Sequence, residues 1–201
     1  MRMERSLAMA VTFDLKKRLG AGNFGEVWLA VETGLGVQYA VKLIPPDRIA
    51  NPKNFFQEAQ TLKAVEHANV VRIFDTGTLD DGRIYVSMEY LRRGSLEDEA
   101  SGAYVSMVRA KRVMVDALRG LEHAHSRNIL HRDIKPANIL VGDNREGKLS
   151  DFGLALAGGV SPASIGMKAY MYTLHAAPET LAGGGSTVQS EIYAAVVSRG
   201  S

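Results

Sequence analysis

The sequence predicts an α+β fold in which a strand-rich N-terminal part is followed by a helical C-terminal part. Short runs rich in β-branched and aromatic residues, separated by Gly and Asp turns, dominate the first ninety residues. One helix pattern interrupts these runs, and sustained helical periodicity begins only after RRGS at 92–95. Because strands and helices are segregated and do not alternate, we expect two lobes, residues 1–91 and residues 92–201.

The N-terminal elements follow from local signals. Asn51 is suited to cap a helix and Pro52 to occupy its first position, so a helix is predicted from there to about Val65. The segment LDDGR at 79–83 is typical of a hairpin turn. The predicted strands are Thr12–Leu19, Glu26–Val31, Val37–Ile44, Val70–Phe74 and Ile84–Tyr90.

The C-terminal part is predicted to be helical from the spacing of its large side chains. Met114, Leu118, Leu121 and His125 recur at spacings of four, three and four. Such spacings place all four side chains on one face of a helix, which we expect to span residues 105–126. A loop and two short strands are predicted to follow it.

Composition excludes several classes of protein. The 201 residues include 24 basic and 22 acidic side chains, and they form no basic stripe typical of nucleic-acid binding. The absence of cysteine excludes disulfides and thiolate metal sites and suits a reducing compartment. No apolar run approaches the roughly 18–20 residues of a membrane span. We therefore expect a cytoplasmic protein with no nucleic-acid partner.

The segment GAGNFGEV places Gly20, Gly22 and Gly25 between the first two predicted strands, with Val27 just beyond. A dinucleotide-binding turn requires a helix directly after the last glycine, whereas EVWLAVE is a strand pattern. A glycine hairpin can bring backbone amides close to the oxygens of a phosphate chain. The alternative is an ordinary glycine turn.

In YAVKLI, Ala40 and Lys42 fall on one face of a strand, so a small side chain leaves room for a flat ring beside an ammonium group. The alternative is an exposed lysine on an edge strand. Glu58 lies beside the apolar face of the predicted helix, where a carboxylate is costly unless it is paired. Lys42 is the partner that we expect, and the alternative is a surface glutamate.

HRDIKPANIL at 131–140 concentrates polar side chains just before a predicted short strand, and SDFG follows the next strand. Asn138 and Asp151 then lie close to two strand ends and offer the hard oxygen ligands that Mg²⁺ prefers. Asp133 is left to accept a proton, and Lys135 supplies a positive charge. Together with the glycine loop, Lys42 and Glu58, these are the groups that phosphoryl transfer requires.

These motifs resemble those of the eukaryotic-type (Hanks-type) serine/threonine protein kinases, over nearly the whole chain from about Phe13 to Tyr193. The resemblance implies a two-lobe kinase-like fold, with an antiparallel sheet plus one helix in the N-terminal lobe. The C-terminal lobe would be mainly helical and incomplete. The resemblance also implies ATP and Mg²⁺ as cofactors, and a protein bearing a Ser or Thr hydroxyl as substrate.

The resemblance also implies roles for individual residues. Asp133 would be the catalytic base and Lys135 would steady the γ-phosphate. Lys42 would bind the α- and β-phosphates and pair with Glu58. The other contacts would come from Gly20, Gly22 and Gly25 over the phosphates, Val27, Ala40 and Leu140 around adenine, the backbone of Glu89 and Leu91 after the gatekeeper Met88, and Asn138 and Asp151 as metal ligands.

Regulation is also implied by the resemblance. Arg132, which precedes the base, implies control by phosphorylation of the activation segment, because an arginine there can pair with a phosphate. The acceptors that we expect are Ser161, Ser164 and Thr173, and the triplet APE at Ala177–Glu179 closes the segment.

Three departures from the family pattern carry expectations of their own. Met171 and Tyr172 stand where Gly and Thr are usual, and His175 stands where a Tyr is usual. Glu191 replaces an Asp that hydrogen-bonds the catalytic-loop backbone, and we expect its extra methylene to misplace that contact. The sequence ends at SRGS within a predicted helix, so we expect a marginally stable lobe, low activity and a tendency to self-associate.

Three functions are compatible with these observations. The first is ATP-dependent phosphorylation of protein Ser or Thr residues. The second is a catalytically poor, pseudokinase-like module that binds a nucleotide or a partner, because catalysis depends on positioning. The third, a small-molecule phosphotransferase, is disfavoured by Lys135, the APE triplet and the complete glycine loop. A phosphorylation assay beside an Asp151→Asn control separates the enzyme from the module.

Overall fold

The computed structural model describes residues 2–3, 13–22, 25–49, 51–102, 107–152 and 176–197. These residues form two compact units. The first contains the described residues up to Ala64 together with Arg72–Tyr90, and the second contains Val65–Val71 and the described residues from Leu91 onward. The α+β class is confirmed by an antiparallel sheet in the first unit and a mainly helical second unit.

The described part of the first unit contains an antiparallel sheet of six strands in the order β1-β2-β3-β4-β6-β5. Alternating apolar residues and glycine turns account for the strands, and the LDDGR hairpin is confirmed by a hydrogen bond from Leu79 N to Arg83 O of 2.8 Å. The strands are β1 (Arg2–Met3), β2 (Phe13–Gly22), β3 (Gly25–Glu32), β4 (Gln38–Ile44), β5 (Ile73–Thr78) and β6 (Ile84–Glu89).

Helix α1 (Pro52–Lys63) begins as the sequence predicts. The Asn51 side chain accepts a hydrogen bond from Asn54 N at 3.1 Å, which satisfies one of the free amides of the first turn. The helix buries Phe55, Ala59 and Leu62, and it packs against β5. It ends at Lys63, two residues before the predicted end.

The predicted strand Val70–Phe74 is displaced in the structure, where β5 is Ile73–Thr78. Val70 and Val71 are buried, but they belong to the second unit. Val71 N donates to Leu149 O at 2.8 Å. Their β-branched side chains indicate extended backbone correctly, whereas the partner strand is 78 residues away in sequence, beyond the reach of a local pattern.

The second unit is built around the long helix α3 (Met107–His125). The helix packs against a hairpin of two short strands, β7 (Ile139–Val141) and β8 (Gly147–Leu149). Helix α2 (Leu96–Gly102) precedes it, a 3₁₀ turn (Pro136–Asn138) leads into β7, and helices α4 (Pro178–Leu181) and α5 (Val188–Val197) follow. None of the helices formed by the described residues is long and apolar enough to cross a membrane.

The buried face of α3 differs from the predicted one at Leu118. Met114 and Leu121 are buried as expected, whereas Leu118 is 38% exposed. The buried face is centred near Ala117, and Leu118 lies about 100° further round the helix. Gly120 occupies the same face because its Cα lies against the backbone of Asn69, where a Cβ would overlap the Asn69 carbonyl oxygen.

Candidate active site

The glycine hairpin joins β2 to β3, and its register pairs Gly20 with Val27 and Gly22 with Gly25. A strand follows the last glycine directly, so the hairpin reading is confirmed and the dinucleotide-type turn is excluded. Gly25 has a φ of +125°, which side-chain-bearing residues rarely adopt. A Cβ on Gly25 would also overlap the carbonyl oxygen of Leu43.

Replacing Gly25 with Ala is expected to destabilise the first unit by about 2–3 kcal/mol, because the new Cβ requires both a strained φ and a shift of β4. Urea unfolding measures the change. Gly22→Ala is the matched control, because no atom lies within 4 Å of the position of its Cβ. Equal stability of the two variants would contradict the backbone argument.

One face of the sheet carries the side chains predicted to surround a nucleotide. Val27 lies directly opposite Lys42, and Ala40 lies opposite Met88. Because side chains alternate along a strand, Val27, Ala40 and Lys42 share this face. Tyr39, Val41 and Leu43 point to the other face and join the core cluster around Phe13 and Tyr85. The structure thus places Val27, Ala40 and Lys42 on one face of the sheet.

Glu58 lies on α1 next to buried neighbours, as predicted, and its side chain is half-buried. Lys42 is also half-buried. The interior sheet position of Lys42 between β3 and β6 excludes the edge-strand alternative. An ion pair between Lys42 and Glu58 stays a prediction.

The predicted adenine contacts lie at the end of β6 and in β7. Glu89 is the last residue of β6, and its N–H donates to Arg72 O at 2.9 Å. Leu91 is the first residue of the second unit after this strand. Leu140 is the central residue of β7 and forms a bridge with Ser95.

The loop before β7 brings Asp133, Lys135 and Asn138 into direct contact. Asn138 Nδ2 donates to Asp133 O at 2.7 Å and to Asp133 Oδ2 at 2.8 Å. Lys135 Nζ lies 2.9 Å from the same Oδ2. One carboxylate oxygen is therefore oriented by two donors, while the Asp133 side chain remains about one third exposed. A carboxylate held in this way can accept a proton from an incoming hydroxyl group.

His131 is completely buried beneath this loop. Its Nδ1 accepts from Asp133 N at 3.3 Å, so Nε2 carries the proton and donates to Ser150 O at 2.9 Å. The ring packs on Phe152 with centroids 4.4 Å apart. Burial lowers the pKa of His131 despite the nearby carboxylates, so the neutral ring joins the catalytic loop to the residue before Asp151.

The expectation that Glu191 would misplace its contact is wrong. Glu191 Oε1 accepts the N–H of Arg132, and Oε2 accepts from His125 Nε2 at 2.7 Å. The carboxylate is only 3% exposed. Arg132 has a φ of +67°, so Glu191 holds a strained backbone position next to Asp133. The spacing of large side chains predicted that His125 lies on an apolar face of the helix. Only its position at the end of α3 could have indicated a polar role.

Asn138 and Asp151 lie at the same end of the β7–β8 hairpin, just before β7 and just after β8. Asn138 O accepts from Ser150 N at 2.9 Å and from Ser150 Oγ at 3.1 Å, which places Asp151 one residue beyond this junction. The Asn138 amide nitrogen is oriented by Asp133, so the amide oxygen faces away from it. Asp151 has a φ of +55°. These two oxygen donors fit Mg²⁺, which takes few protein ligands and retains water or phosphate oxygens.

No group of three or more His, Cys, Asp or Glu side chains among the described residues is arranged to hold a metal ion. The predicted phosphorylation sites Ser161, Ser164 and Thr173 lie outside the described residues, as do Met171, Tyr172 and His175.

The family model for the protein kinase domain matches residues 13–198. The chain is 32% identical over 189 residues to serine/threonine-protein kinase PknJ of Mycobacterium tuberculosis, an alignment that covers 90% of this chain and 32% of the relative. It is 33% identical over 205 residues to the probable serine/threonine-protein kinase SCO3848 of Streptomyces coelicolor, covering 95% and 30%. It is also 34% identical over 147 residues to the human tyrosine-protein kinase FRK, covering 72% and 28%.

The chain thus spans about a third of the length of the curated relatives it matches. The family match covers both units, including the glycine hairpin and the loop that carries Asp133. This match agrees with the geometry of the loop that carries Asp133. The chain belongs to the protein kinase family.

Proposed function

We propose that the protein transfers the γ-phosphate of ATP to Ser or Thr hydroxyl groups of protein substrates. The observation that carries the proposal is the arrangement of Asp133, Lys135 and Asn138, in which two donors orient one oxygen of a partly exposed carboxylate. This arrangement supplies a proton acceptor with a cation beside it, and phosphoryl transfer to a hydroxyl group requires both.

In this mechanism Asp133 accepts the proton of the substrate hydroxyl on its carboxylate, which is about one third exposed. Asn138 and Lys135 hold the carboxylate in a fixed orientation, which favours in-line approach of the hydroxyl group. Lys135 also places positive charge where negative charge gathers on the transferred group. Glu191 and His131 position Arg132 and Asp133 from below the loop and do not contact the substrate.

ATP would supply the activated phosphoryl group, and Mg²⁺ would neutralise the charge on its oxygens. In the second unit, we assign Asn138 and Asp151 as metal ligands and Leu91 and Leu140 as adenine contacts. In the first unit, we assign Gly20, Gly22, Gly25 and Lys42 to the phosphates, with Glu58 as the partner of Lys42. Val27, Ala40 and the backbone of Glu89 complete the adenine contacts.

The choice of Ser/Thr over Tyr as acceptor rests on Lys135 and on two of the relatives. The segment DIKPAN carries its lysine two residues after the base, the form found in serine/threonine kinases. PknJ and SCO3848 carry the name serine/threonine-protein kinase, whereas FRK is named a tyrosine-protein kinase. Phosphoamino-acid analysis of a labelled generic protein substrate distinguishes the two specificities.

Replacing Asp151 with Ala is expected to weaken binding of Mg·ATP by at least about 10–100-fold, the range seen when even the outer partners of metal ligands are lost. Adenosine has no phosphate to share a metal ion, so its affinity should be nearly unchanged. Titration calorimetry with ATP, with and without Mg²⁺, measures both. Asp143→Ala is the control, because Asp143 is an exposed carboxylate in the β7–β8 turn. Metal-independent affinity of the unmodified protein for ATP would overturn the metal assignment.

A further inference from the structure

Segment 65–71 follows α1 in sequence but packs within the second unit against α3. The His67 ring of this segment stacks on the His123 ring of α3, with centroids 4.6 Å apart and planes inclined by 28°. Both side chains are half-buried. A stacked pair of imidazole rings is stable only while at least one ring is uncharged, because two imidazolium ions at this distance repel each other.

Each ring uses its Nδ1 atom as a hydrogen-bond acceptor. His67 Nδ1 accepts from Asn69 N at 3.1 Å, so protonation of this nitrogen removes the acceptor. His123 Nδ1 lies 3.2 Å from the Arg127 guanidinium, which can only donate, so this nitrogen is also an acceptor. The proton of the neutral His123 ring is then on Nε2, which is buried.

The groups around His123 mostly favour the neutral form of its ring. Burial lowers the pKa of His123, and the charges of Arg127 on α3 and of His67 on the facing segment lower it further. Among the described residues acting on this ring, only the backbone of Glu66 favours the charged form. The folded state therefore disfavours a proton that the unfolded chain accepts at the ordinary histidine pKa.

Segment 65–71 is hydrogen-bonded to β8, the strand just before Asp151. Asn69, whose N–H is bonded to His67, also donates from Nδ2 to Gly147 O at 2.9 Å and accepts from Leu149 N at 2.9 Å. Val71 N donates to Leu149 O at 2.8 Å. Segment 65–71 thus forms an additional edge on β8, and the His67–His123 stack attaches the start of this segment to α3.

We propose that the His67–His123 stack is a proton-sensitive clasp, which holds segment 65–71 against α3 and β8 while the His123 ring is neutral and releases it when that ring is protonated. The inference does not depend on the proposed phosphoryl transfer. Because the folded pKa of His123 is lowered, the clasp is fully effective above about pH 6.5, the unfolded value, and weakens as the pH falls below it. Titration of His123 alone raises the equilibrium constant for opening of the segment by at most about tenfold per pH unit.

Native-state hydrogen exchange between pH 7.5 and pH 5.5, corrected for the intrinsic exchange rates, tests the proposal. Protection of the amides of Asn69, Val71 and Leu149 should fall by up to about tenfold per pH unit below pH 6.5 as His123 titrates. His123→Phe keeps a ring for stacking but cannot be protonated, so its protection should depend less steeply on pH. Arg127→Gln removes the repelling charge but keeps a donor, and it should also reduce the pH dependence.

The buried His131 adds the same pH dependence to the unmodified protein and to His123→Phe. The test is therefore the difference between the two proteins in how protection changes with pH. An identical pH dependence in the unmodified protein and in His123→Phe would overturn the clasp. If His123→Phe does not fold, NMR titration of the histidine rings in the unmodified protein decides the question. His123 should then titrate below pH 6.5 and become charged together with the loss of Asn69 protection. Titration of His123 at its ordinary pKa with Asn69 still protected would also overturn the proposal.

Discussion

Replacement of Asp133 by Asn is expected to lower the turnover number by about 10²–10⁴-fold, the range typical of the loss of a positioned general base. Asn has nearly the same shape as Asp but cannot accept the hydroxyl proton. Its amide would also present a second NH₂ group to the Asn138 amide nitrogen, which now donates to Asp133 at 2.8 Å. Steady-state kinetics with a protein substrate measure the loss.

Binding of Mg·ATP should change little in Asp133→Asn, because the proposed partner of Asp133 is the substrate hydroxyl and not the nucleotide. The matched control is Asp143→Asn, which makes the same chemical change at an exposed carboxylate paired with Arg92 at 3.6 Å. Full activity of Asp133→Asn would place the proton acceptor elsewhere. Equal losses in both variants would show that the effect is general and not local.

Replacement of Glu191 by Ala is expected to destabilise the second unit and to disorder the catalytic loop. The change leaves Arg132 N and His125 Nε2 without their buried acceptor, at a cost of about 1–3 kcal/mol for each group. It also removes the bond that supports the positive φ of Arg132. Because Asp133 follows Arg132 directly, the turnover number should fall together with the free energy of unfolding.

Glu191→Gln is the matched control, because its amide keeps the shape of the side chain and one oxygen acceptor for Arg132 N. We expect it to retain most of the stability and most of the turnover. Urea unfolding and kinetics on the three proteins measure both quantities. Stability of Glu191→Ala equal to that of the unmodified protein would contradict the supporting role of this carboxylate.

Elements that depend on neighbours in sequence were predictable. The cap of α1 by Asn51, the hairpin at LDDGR and the glycine hairpin all form from residues within about ten positions of each other. The cluster of Asp133, Lys135 and Asn138 could be predicted for the same reason, because one short loop contains all three side chains. In each case the interacting groups are close in sequence, so a local pattern is enough to predict that they meet.

Elements that depend on distant neighbours were not predictable. Val70 and Val71 resemble a strand of the first unit, but Val71 pairs with Leu149 in the second. Leu118 has the spacing of a buried residue, but the buried face of α3, where Gly120 approaches Asn69, is centred near Ala117 and leaves Leu118 partly exposed. Neither contact can be predicted from the local sequence pattern.

By itself the sequence determined the α+β class, the helix and hairpin signals and the identity of the groups that could perform phosphoryl transfer, because propensity, periodicity and chemical type are local properties. Only the tertiary structure decided how these groups are supported. It showed that Glu191 reaches Arg132 across 59 residues, that His131 is buried between Asp133 and Ser150, and that His67 stacks on His123. The physical reason is that burial and hydrogen bonding depend on which surfaces the folded chain brings together, and this is a property of the whole chain.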